Sequence, residues 1–197
     1  MRADVNETHA DGSVRRNALI GWVLLGGVVL SAMWNVGTGN PLWGAFEVTF
    51  VAVAALPAAA ARDSRIVVPW PLLALGAVAL VGQTLGFHQE LTSYTAVAAF
   101  ALVGVAELDA YTEVEMSRRF TIAFAVLATM AVQGVWTVVR FYADGLLGTS
   151  LVVSQARIQW DFVFVTLVAV VVGSAFELYF KRAEGGGSEQ EPAVSDT

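Results

Sequence analysis

One stretch of the chain constrains the fold more than any other, because it carries no charge over the thickness of a lipid bilayer. Residues 120–139 lie between Arg119 and Arg140 and contain no charged side chain. A transmembrane helix needs about 20 such residues to cross a hydrocarbon core of about 30 Å. Arginines at the two ends can extend their charged groups toward the aqueous interface. The stretch therefore predicts a membrane-spanning helix.

The polar side chains of this stretch fall on one face of the predicted helix. Successive residues of an α-helix are rotated by about 100°, so residues three or four apart share a face. The polar stripe occupies an arc of about 100° and consists of Thr129, Gln133, Trp136, Thr137 and Arg140. We expect this stripe to face protein or a wet cavity, and not lipid.

The composition places the whole chain in the integral-membrane class. Hydrophobic residues make up 56% of the chain, charged residues 14%, and the mean hydropathy is +0.64. These values lie outside the usual range of soluble domains. The absence of cysteine excludes disulfides, thiolate metal sites and a cysteine nucleophile. The sequence predicts an all-α integral membrane protein with one membrane domain.

The charged residues do not indicate a nucleic-acid partner. The net charge is -6, and arginine is far more common than lysine, since Lys181 is the only lysine. We associate an acidic composition that favours arginine with extreme halophiles, and therefore expect a halophilic prokaryotic source. The basic residues occur in pairs beside apolar stretches and do not form the cluster that a nucleic-acid surface needs. We expect no nucleic-acid partner.

Six apolar stretches divide the chain into six predicted membrane helices. Pro57 is expected to kink the second of them, and the small residues Gly82 and Gly86 are expected to allow close helix approach in the third. The first turn, at residues 37–41, is rich in glycine, asparagine and proline. The predicted spans are residues 18–36, 42–61, 72–87, 93–108, 120–139 and 161–180.

The remaining segments are predicted to be tails and loops. Residues 1–17 and 183–197 are polar and acidic and cannot bury enough apolar surface to fold alone, so we expect disordered tails on a membrane domain of residues 18–182. A long loop is predicted at residues 143–160. Its apolar middle leaves two alternatives open, a segment that enters the interface and one that folds over the helix ends.

The distribution of positive charge predicts the orientation, because cytoplasmic loops are richer in lysine and arginine than translocated ones. Six spans with both termini in the cytoplasm place nine basic residues inside and two outside. The two outside are Arg140 and Arg157. The nine inside are Arg2, Arg15, Arg16, Arg62, Arg65, Arg118, Arg119, Lys181 and Arg182. We therefore predict a multi-pass protein of the cell membrane.

Several membrane chemistries lack the residues they require. Retinal needs a lysine in mid-membrane, and Lys181 lies at the end of the last span. Bis-histidine haem needs two membrane histidines, whereas His9 is in the tail and His88 in a predicted turn. No zinc-protease motif is present. We expect no catalytic, metal or cofactor-binding residues, and we expect His88, Glu90 and Asp161 at the outer surface.

Glu47 is the strongest single signal, because a carboxylate within a span is costly and faces the protein interior by default. Two roles stay open for it, a proton or cation relay and a helix-locking ion pair. In the predicted topology Arg140 lies toward the same membrane face, so we expect these two residues to pair. Gln83 and Gln133 are expected to form interhelical hydrogen bonds. With Thr137 these residues form the candidate polar interior.

Residues 84–148 and 159–173 resemble the YjdF-like family of small prokaryotic multi-spanning membrane proteins of unknown function. The likeness lies in the aromatic turn after the third span, the Trp-anchored fifth span, and the pair Trp160 and Asp161 before the last span. The family pattern has an Asp and a His at the start of the fourth span and acidic residues after the Trp of the fifth. This sequence differs there and retains Asp161; the replacements are Ser93, Tyr94, Ala98, Thr137 and Arg140.

These features favour a role without catalysis. We expect an accessory or structural subunit whose polar interior serves helix packing or partner docking. Its partners would be the lipid bilayer and another membrane protein or a second copy of the chain. The alternative from another class is a small-solute or ion transporter, with a path lined by Glu47, Gln83, Gln133 and Arg140.

Overall fold

The computed structural model describes residues 2–111, 118–148 and 155–185, and in them the side chains of residues 12, 14–108, 120, 123–146, 148 and 158–175. The described residues form seven α-helices and no strands, which confirms the predicted all-α class. The helices are α1 (Arg2–Gly37), α2 (Pro41–Ala54), α3 (Leu56–Ala61), α4 (Trp70–Thr84), α5 (Gln89–Tyr111), α6 (Arg118–Leu147) and α7 (Gln155–Gly185).

Four of these helices are long and apolar enough to cross a membrane. The qualifying stretches within the described residues are Val14–Gly37, Gln89–Leu108, Ala123–Leu146 and Ile158–Ala175. Two further apolar helices, α2 and α4, have 14 and 15 residues. At 1.5 Å per residue each of these is about 22 Å long. The lengths and compositions suit association with a membrane.

The second predicted span is broken into α2 and α3 close to Pro57, as expected for a proline within a helix. Proline has no N–H and its ring conflicts with the carbonyl group four residues earlier. The break falls at Ala55, whose N–H still donates to the Val51 carbonyl at 3.0 Å. Arg62 then ends α3 in the left-handed region, with φ of 52°. The helix is thus interrupted close to Pro57, where the sequence predicts a kink.

The turn between α4 and α5 differs from the prediction. It occupies residues 85–88, and α5 already begins at Gln89. Gly86 has φ of +75°, a conformation that glycine adopts without steric cost, and the Phe87 N–H donates to the Gly82 carbonyl at 2.9 Å. Gly86 therefore serves the turn and not the close helix packing that the sequence predicts for it. His88 follows, also with positive φ, of 40°.

The helices extend beyond several of the predicted limits. α6 continues to Leu147 and α7 begins at Gln155, so most of the predicted loop at 143–160 is helical, and residues 149–154 lie outside the described part. Asp161 consequently lies within α7. α1 begins at Arg2 and α7 ends at Gly185, so residues 2–17 and 183–185 continue helices; residues 186–197 lie outside the described part.

The helices pack in two groups that meet at α5. α1 contacts α2 and α4, while α6 and α7 contact each other. α5 contacts α4 and α2 and also contacts α6 and α7. Aromatic rings fill the junction of α2, α5 and α6: the Phe46 and Trp136 rings lie 4.8 Å apart, and Phe100 lies 5.4 Å from Phe46. Trp43 lies 5.2 Å from Trp136.

The predicted polar stripe of α6 faces this interior. Gln133 is 3% exposed and Trp136 is 7% exposed, whereas Leu127 and Val135 on the same helix are 64% and 65% exposed. Thr129 is also fully buried. A helix in a membrane turns its polar residues toward protein. The prediction that the stripe faces protein is confirmed.

Two glycines allow close helix contact within the first group. A Cβ atom on Gly44 would lie 3.0 Å from the Ala32 carbonyl oxygen, which shows how closely α2 approaches α1. A Cβ atom on Gly76 would lie 2.7 Å from the Phe50 Cε2 atom, so the Phe50 ring packs directly on the α4 backbone. Such close approach through small residues is a usual feature of helix interfaces in membranes.

Candidate functional site

The most complete polar site joins α1, α2 and α4. Ser31 and Asn35 are four residues apart on α1 and therefore lie on one face of the helix. Glu47 lies on α2, and Thr84 is the last residue of α4. Ser31, Asn35 and Glu47 are buried, and Glu47 is only 1% exposed. We refer to these four residues as the Glu47 cluster.

The turn between α1 and α2 explains how Glu47 comes to face Ser31 and Asn35. Gly39 adopts φ of +88°, and the Asn40 N–H donates to the Asn35 carbonyl at 2.8 Å. Pro41 begins α2, where its missing N–H removes no helical hydrogen bond. The hairpin thus turns tightly, and Glu47, near the second turn of α2, lies beside the last turns of α1.

Both oxygen atoms of the Glu47 carboxylate accept hydrogen bonds from other helices. Oε1 accepts from the Ser31 hydroxyl at 2.6 Å and from the Thr84 hydroxyl at 3.1 Å. Oε2 accepts from the Asn35 Nδ2 at 3.0 Å. Hydrogen bonds to a carboxylate are stronger than those between neutral groups. The carboxylate therefore ties α2 to α1 and α4.

The three neutral members of the cluster also contact one another. The Ser31 and Thr84 hydroxyl oxygens lie 2.7 Å apart, and Asn35 Nδ2 donates to Thr84 Oγ1 at 2.7 Å. Thr84 also reaches the carbonyl of Leu80 in its own helix at 3.2 Å. Thr84 is therefore the centre of the network, in contact with every other member.

A second set of contacts joins α1 to the segment before α4, at the other end of α1. Asn17 Nδ2 donates to the Val67 carbonyl at 3.2 Å, and Asn17 Oδ1 accepts from the Trp70 N–H at 2.7 Å. The indole N–H of Trp22 donates to the Ser64 carbonyl at 2.9 Å. α1 and α4 are thus linked at both ends, by Asn17 at one and by the Glu47 cluster at the other.

The predicted ion pair between Glu47 and Arg140 is not formed. The hydrogen-bond partners of Glu47 are Ser31, Asn35 and Thr84, all of them neutral. Arg140 is half-buried on α6 and makes contacts of its own. The reason lies in how α2 packs. Its aromatic side chain Phe46 faces Trp136 of α6, whereas Glu47 faces α1.

The other predicted interior residues belong to separate contacts. Gln83 Oε1 accepts from the hydroxyls of Thr92 and Ser93 at 2.9 and 3.1 Å, across the turn from α4 to α5. The Thr137 hydroxyl donates to the Gln133 carbonyl of its own helix at 2.9 Å. The expectation that Gln83 bonds between helices is confirmed, but these contacts do not include Glu47.

The residues expected at the outer surface differ in their surroundings. His88 and Glu90 are exposed, and the His88 ring packs edge-on against Phe87 with 4.6 Å between centroids. Asp161 is half-buried, and its Oδ1 accepts from the Tyr94 hydroxyl at 2.6 Å, which joins α5 to α7. The contact gives Asp161 a structural role within the described bundle.

Two further observations concern the acidic side chains of the described residues. No group of three or more His, Asp or Glu side chains that could hold a metal ion occurs there. Glu107 near the end of α5 is a second buried carboxyl group, and its Oε1 has no hydrogen-bond partner among the described residues.

Sequence reasoning missed three members of the Glu47 cluster, namely Ser31, Asn35 and Thr84. A signal was present in α1, because Ser31 and Asn35 form a polar pair at helical spacing within an otherwise apolar span. Thr84 carries no such signal. A threonine at a helix end is common, and only the packing of α4 against α1 gives it a role.

Comparison with known families matches one region of the chain. A family model described as a domain of unknown function (DUF8268) matches residues 12–67. This region contains α2, α3 and most of α1, and three of the four residues of the Glu47 cluster. No curated protein and no solved structure matches the chain. The match lies outside the residues that resemble the YjdF-like family, so that relationship stays a prediction.

Proposed function

We propose that the chain is a multi-pass protein of the cell membrane that crosses the bilayer six times, with both termini in the cytoplasm, and acts as a non-enzymatic accessory or structural subunit. The four long apolar helices support the membrane location. α2 with α3, and α4, supply the two further crossings. The distribution of arginine supports the orientation.

The main observation that supports a structural role is the set of side chains that donate hydrogen bonds to Glu47. A buried carboxylate that served an open path would be expected to face a polar channel. Glu47 is instead 1% exposed, and its two oxygens are held by three side chains from α1 and α4. These contacts favour a role for the buried polar residues of α1, α2 and α4 in holding the helices together.

The outer surfaces of α6 and α7 support a role in association. Only 11% of the membrane-length stretch of α7 is buried within the chain, compared with 44% of that of α5. Large apolar side chains cover this surface and are available to lipid or to another membrane protein. The exposed members of α7 include Val163, Phe164, Leu167 and Val171.

The topology can be tested by cysteine accessibility, because the chain has no native cysteine. In intact cells an impermeant reagent should not label Ser13→Cys, Ser64→Cys or Ser188→Cys. It should label Thr38→Cys, Glu90→Cys and Ser154→Cys. Ser64 and Glu90 lie on either side of α4, so equal labelling of these two variants would show that α4 does not cross.

The role itself can be tested by purifying the tagged chain from its native membrane. A reproducible partner at fixed stoichiometry, or a homo-oligomer, supports the subunit role. The competing function is transport along Glu47, Gln83, Gln133 and Arg140. Uptake of solute or ions by liposomes that contain the purified chain alone, abolished by Glu47→Gln, would establish transport in place of the subunit role.

A further inference from the structure

The Glu47 cluster contains a buried carboxyl group whose hydrogen-bond partners include no cation. Glu47 lies within α2 and is 1% exposed, and its partners Ser31, Asn35 and Thr84 are all neutral. Three neutral donors stabilise a carboxylate, but they do not neutralise its charge. A charge without a counter-charge in a membrane interior is costly. Either a proton on the carboxyl group or a bound cation would remove this cost.

The cluster also has more close contacts between polar atoms than it has donor hydrogens. The four side chains and the Leu80 carbonyl make six contacts of 2.6–3.2 Å. The two hydroxyl groups and the amide of Asn35 supply four hydrogens. If the carboxyl group is ionised, at least two of the six contacts therefore have no hydrogen of their own and must share one with a neighbouring contact. A metal ion can take up several oxygen lone pairs at once.

The donor atoms identify the class of cation. The available oxygens are the Glu47 carboxylate, the hydroxyls of Ser31 and Thr84, the Leu80 carbonyl, and the Asn35 amide oxygen, which a rotation of the amide group would present. Oxygen donors of this kind suit hard cations and not transition metals. A single carboxylate balances one positive charge, and the described residues contain no cluster of three or more His, Asp or Glu side chains that could balance two.

We propose that Ser31, Asn35, Glu47 and Thr84 form a binding site for one dehydrated monovalent cation, and that this cation is Na⁺. An ion would have to separate oxygens that now lie at hydrogen-bond distances of 2.6–3.1 Å, and Na⁺ requires a smaller separation than K⁺. Because the ligands come from α1, α2 and α4, the bound ion fastens these three helices together. The site goes beyond the proposed subunit role and does not depend on it.

The test is the thermal unfolding of the full chain in detergent, titrated with NaCl against choline chloride at constant ionic strength. A ligand that binds only the folded state stabilises it in proportion to the logarithm of its concentration above half-saturation. Each further tenfold rise in Na⁺ should therefore raise the unfolding midpoint by about 3–5 °C. KCl should produce a smaller shift at equal concentration.

Matched variants connect the effect to the cluster. Glu47→Gln should abolish the Na⁺ dependence, and Thr84→Val should weaken Na⁺ binding at least tenfold. Glu107→Gln removes a second buried carboxyl group, and Thr49→Val removes a hydroxyl that donates only to the Ala45 carbonyl of its own helix. Both control variants should keep the full Na⁺ dependence.

Retention of radioactive sodium by the purified chain gives a second measurement, which applies to any cluster variant that folds. Equal midpoints in Na⁺ and choline, with no sodium retained, would overturn the proposal. A midpoint that responds to pH but not to Na⁺ would assign the site to a proton and would also overturn it. So would a Na⁺ dependence that survives Glu47→Gln or is lost in Glu107→Gln.

Discussion

The two helix groups of the protein use their polar side chains in opposite ways. In α1, α2 and α4 the buried polar groups bond between helices, as Ser31, Glu47 and Thr84 do. In α6 and α7 the hydroxyls of Thr129, Thr137 and Thr166 instead donate to carbonyls of their own helices, four residues earlier.

This difference bears on what holds each group together. A hydroxyl that bonds to its own helix satisfies itself and places no constraint on a neighbour. A hydroxyl that bonds to another helix fixes how the two helices are rotated. In lipid, apolar packing between helices gains little over contact with lipid tails. The first group is therefore specified by hydrogen bonds, whereas α7 relies on packing and on the contact between Tyr94 and Asp161.

The largest expected effect is that of Glu47→Ala, which removes the acceptor shared by three side chains. Donors that stay buried without a partner cost about 1–3 kcal/mol each, although Ser31 and Thr84 can still bond to each other. We expect a loss of about 3 kcal/mol in the free energy of unfolding, measured by reversible unfolding in mixed micelles. Val48→Ala, at the adjacent position that is 55% exposed, should cost far less. Equal losses would show that the hydrogen bonds of Glu47 do not specify the packing of the first group.

The next effect concerns the close contact between α2 and α4. Gly76→Ala places a methyl group against the Phe50 ring, and overpacking of this kind costs about 1–3 kcal/mol. Gly104→Ala is the matched control in α5, because no atom lies within 4 Å of its added Cβ. We expect the melting temperature of Gly76→Ala to fall and that of Gly104→Ala to stay unchanged or rise.

A smaller effect compares equivalent threonines in the two groups. Thr84→Val removes hydrogen bonds to other helices and should cost about 1–2 kcal/mol. Thr129→Val preserves the shape of a fully buried side chain but removes only a bond to the Ala125 carbonyl of its own helix. Its cost should stay below about 0.5 kcal/mol. If equilibrium unfolding gave a larger cost for Thr129→Val than for Thr84→Val, hydroxyls that bond to their own helix would contribute more to stability than those that bond to another helix, contrary to this prediction.

The smallest expected effect is a coupling energy between the two groups. Because Glu47 bonds to α1 and α4 and not to Arg140, the substitutions Glu47→Gln and Arg140→Gln should be additive. A double-mutant cycle should give a coupling energy below about 0.5 kcal/mol. A coupling energy of 2 kcal/mol or more would show that Glu47 and Arg140 form the ion pair expected from the sequence.

The sequence predicted the individual helices well, because each depends mostly on its own residues. The uncharged length of residues 120–139 required a long apolar helix, and Pro57 required a break. The polar stripe of α6 identified its buried face, which Gln133 and Trp136 confirm. The ends of helices were less accurate. Gly86 and His88, for example, take positive φ in a turn that lies earlier than expected.

The sequence by itself thus determined that the chain is a set of apolar helices, which of their faces are polar, and that Glu47 needs partners. Only the tertiary structure decided which partners it has. A helical period relates residues of one helix, such as Ser31 and Asn35, but contains no information about the rotation of neighbouring helices. That rotation depends on the close approach at Gly44 and Gly76 and on the aromatic rings between α2 and α6. It turns Glu47 toward Thr84 and away from Arg140, because the packing of whole helix surfaces outweighs the attraction of one distant pair of charges.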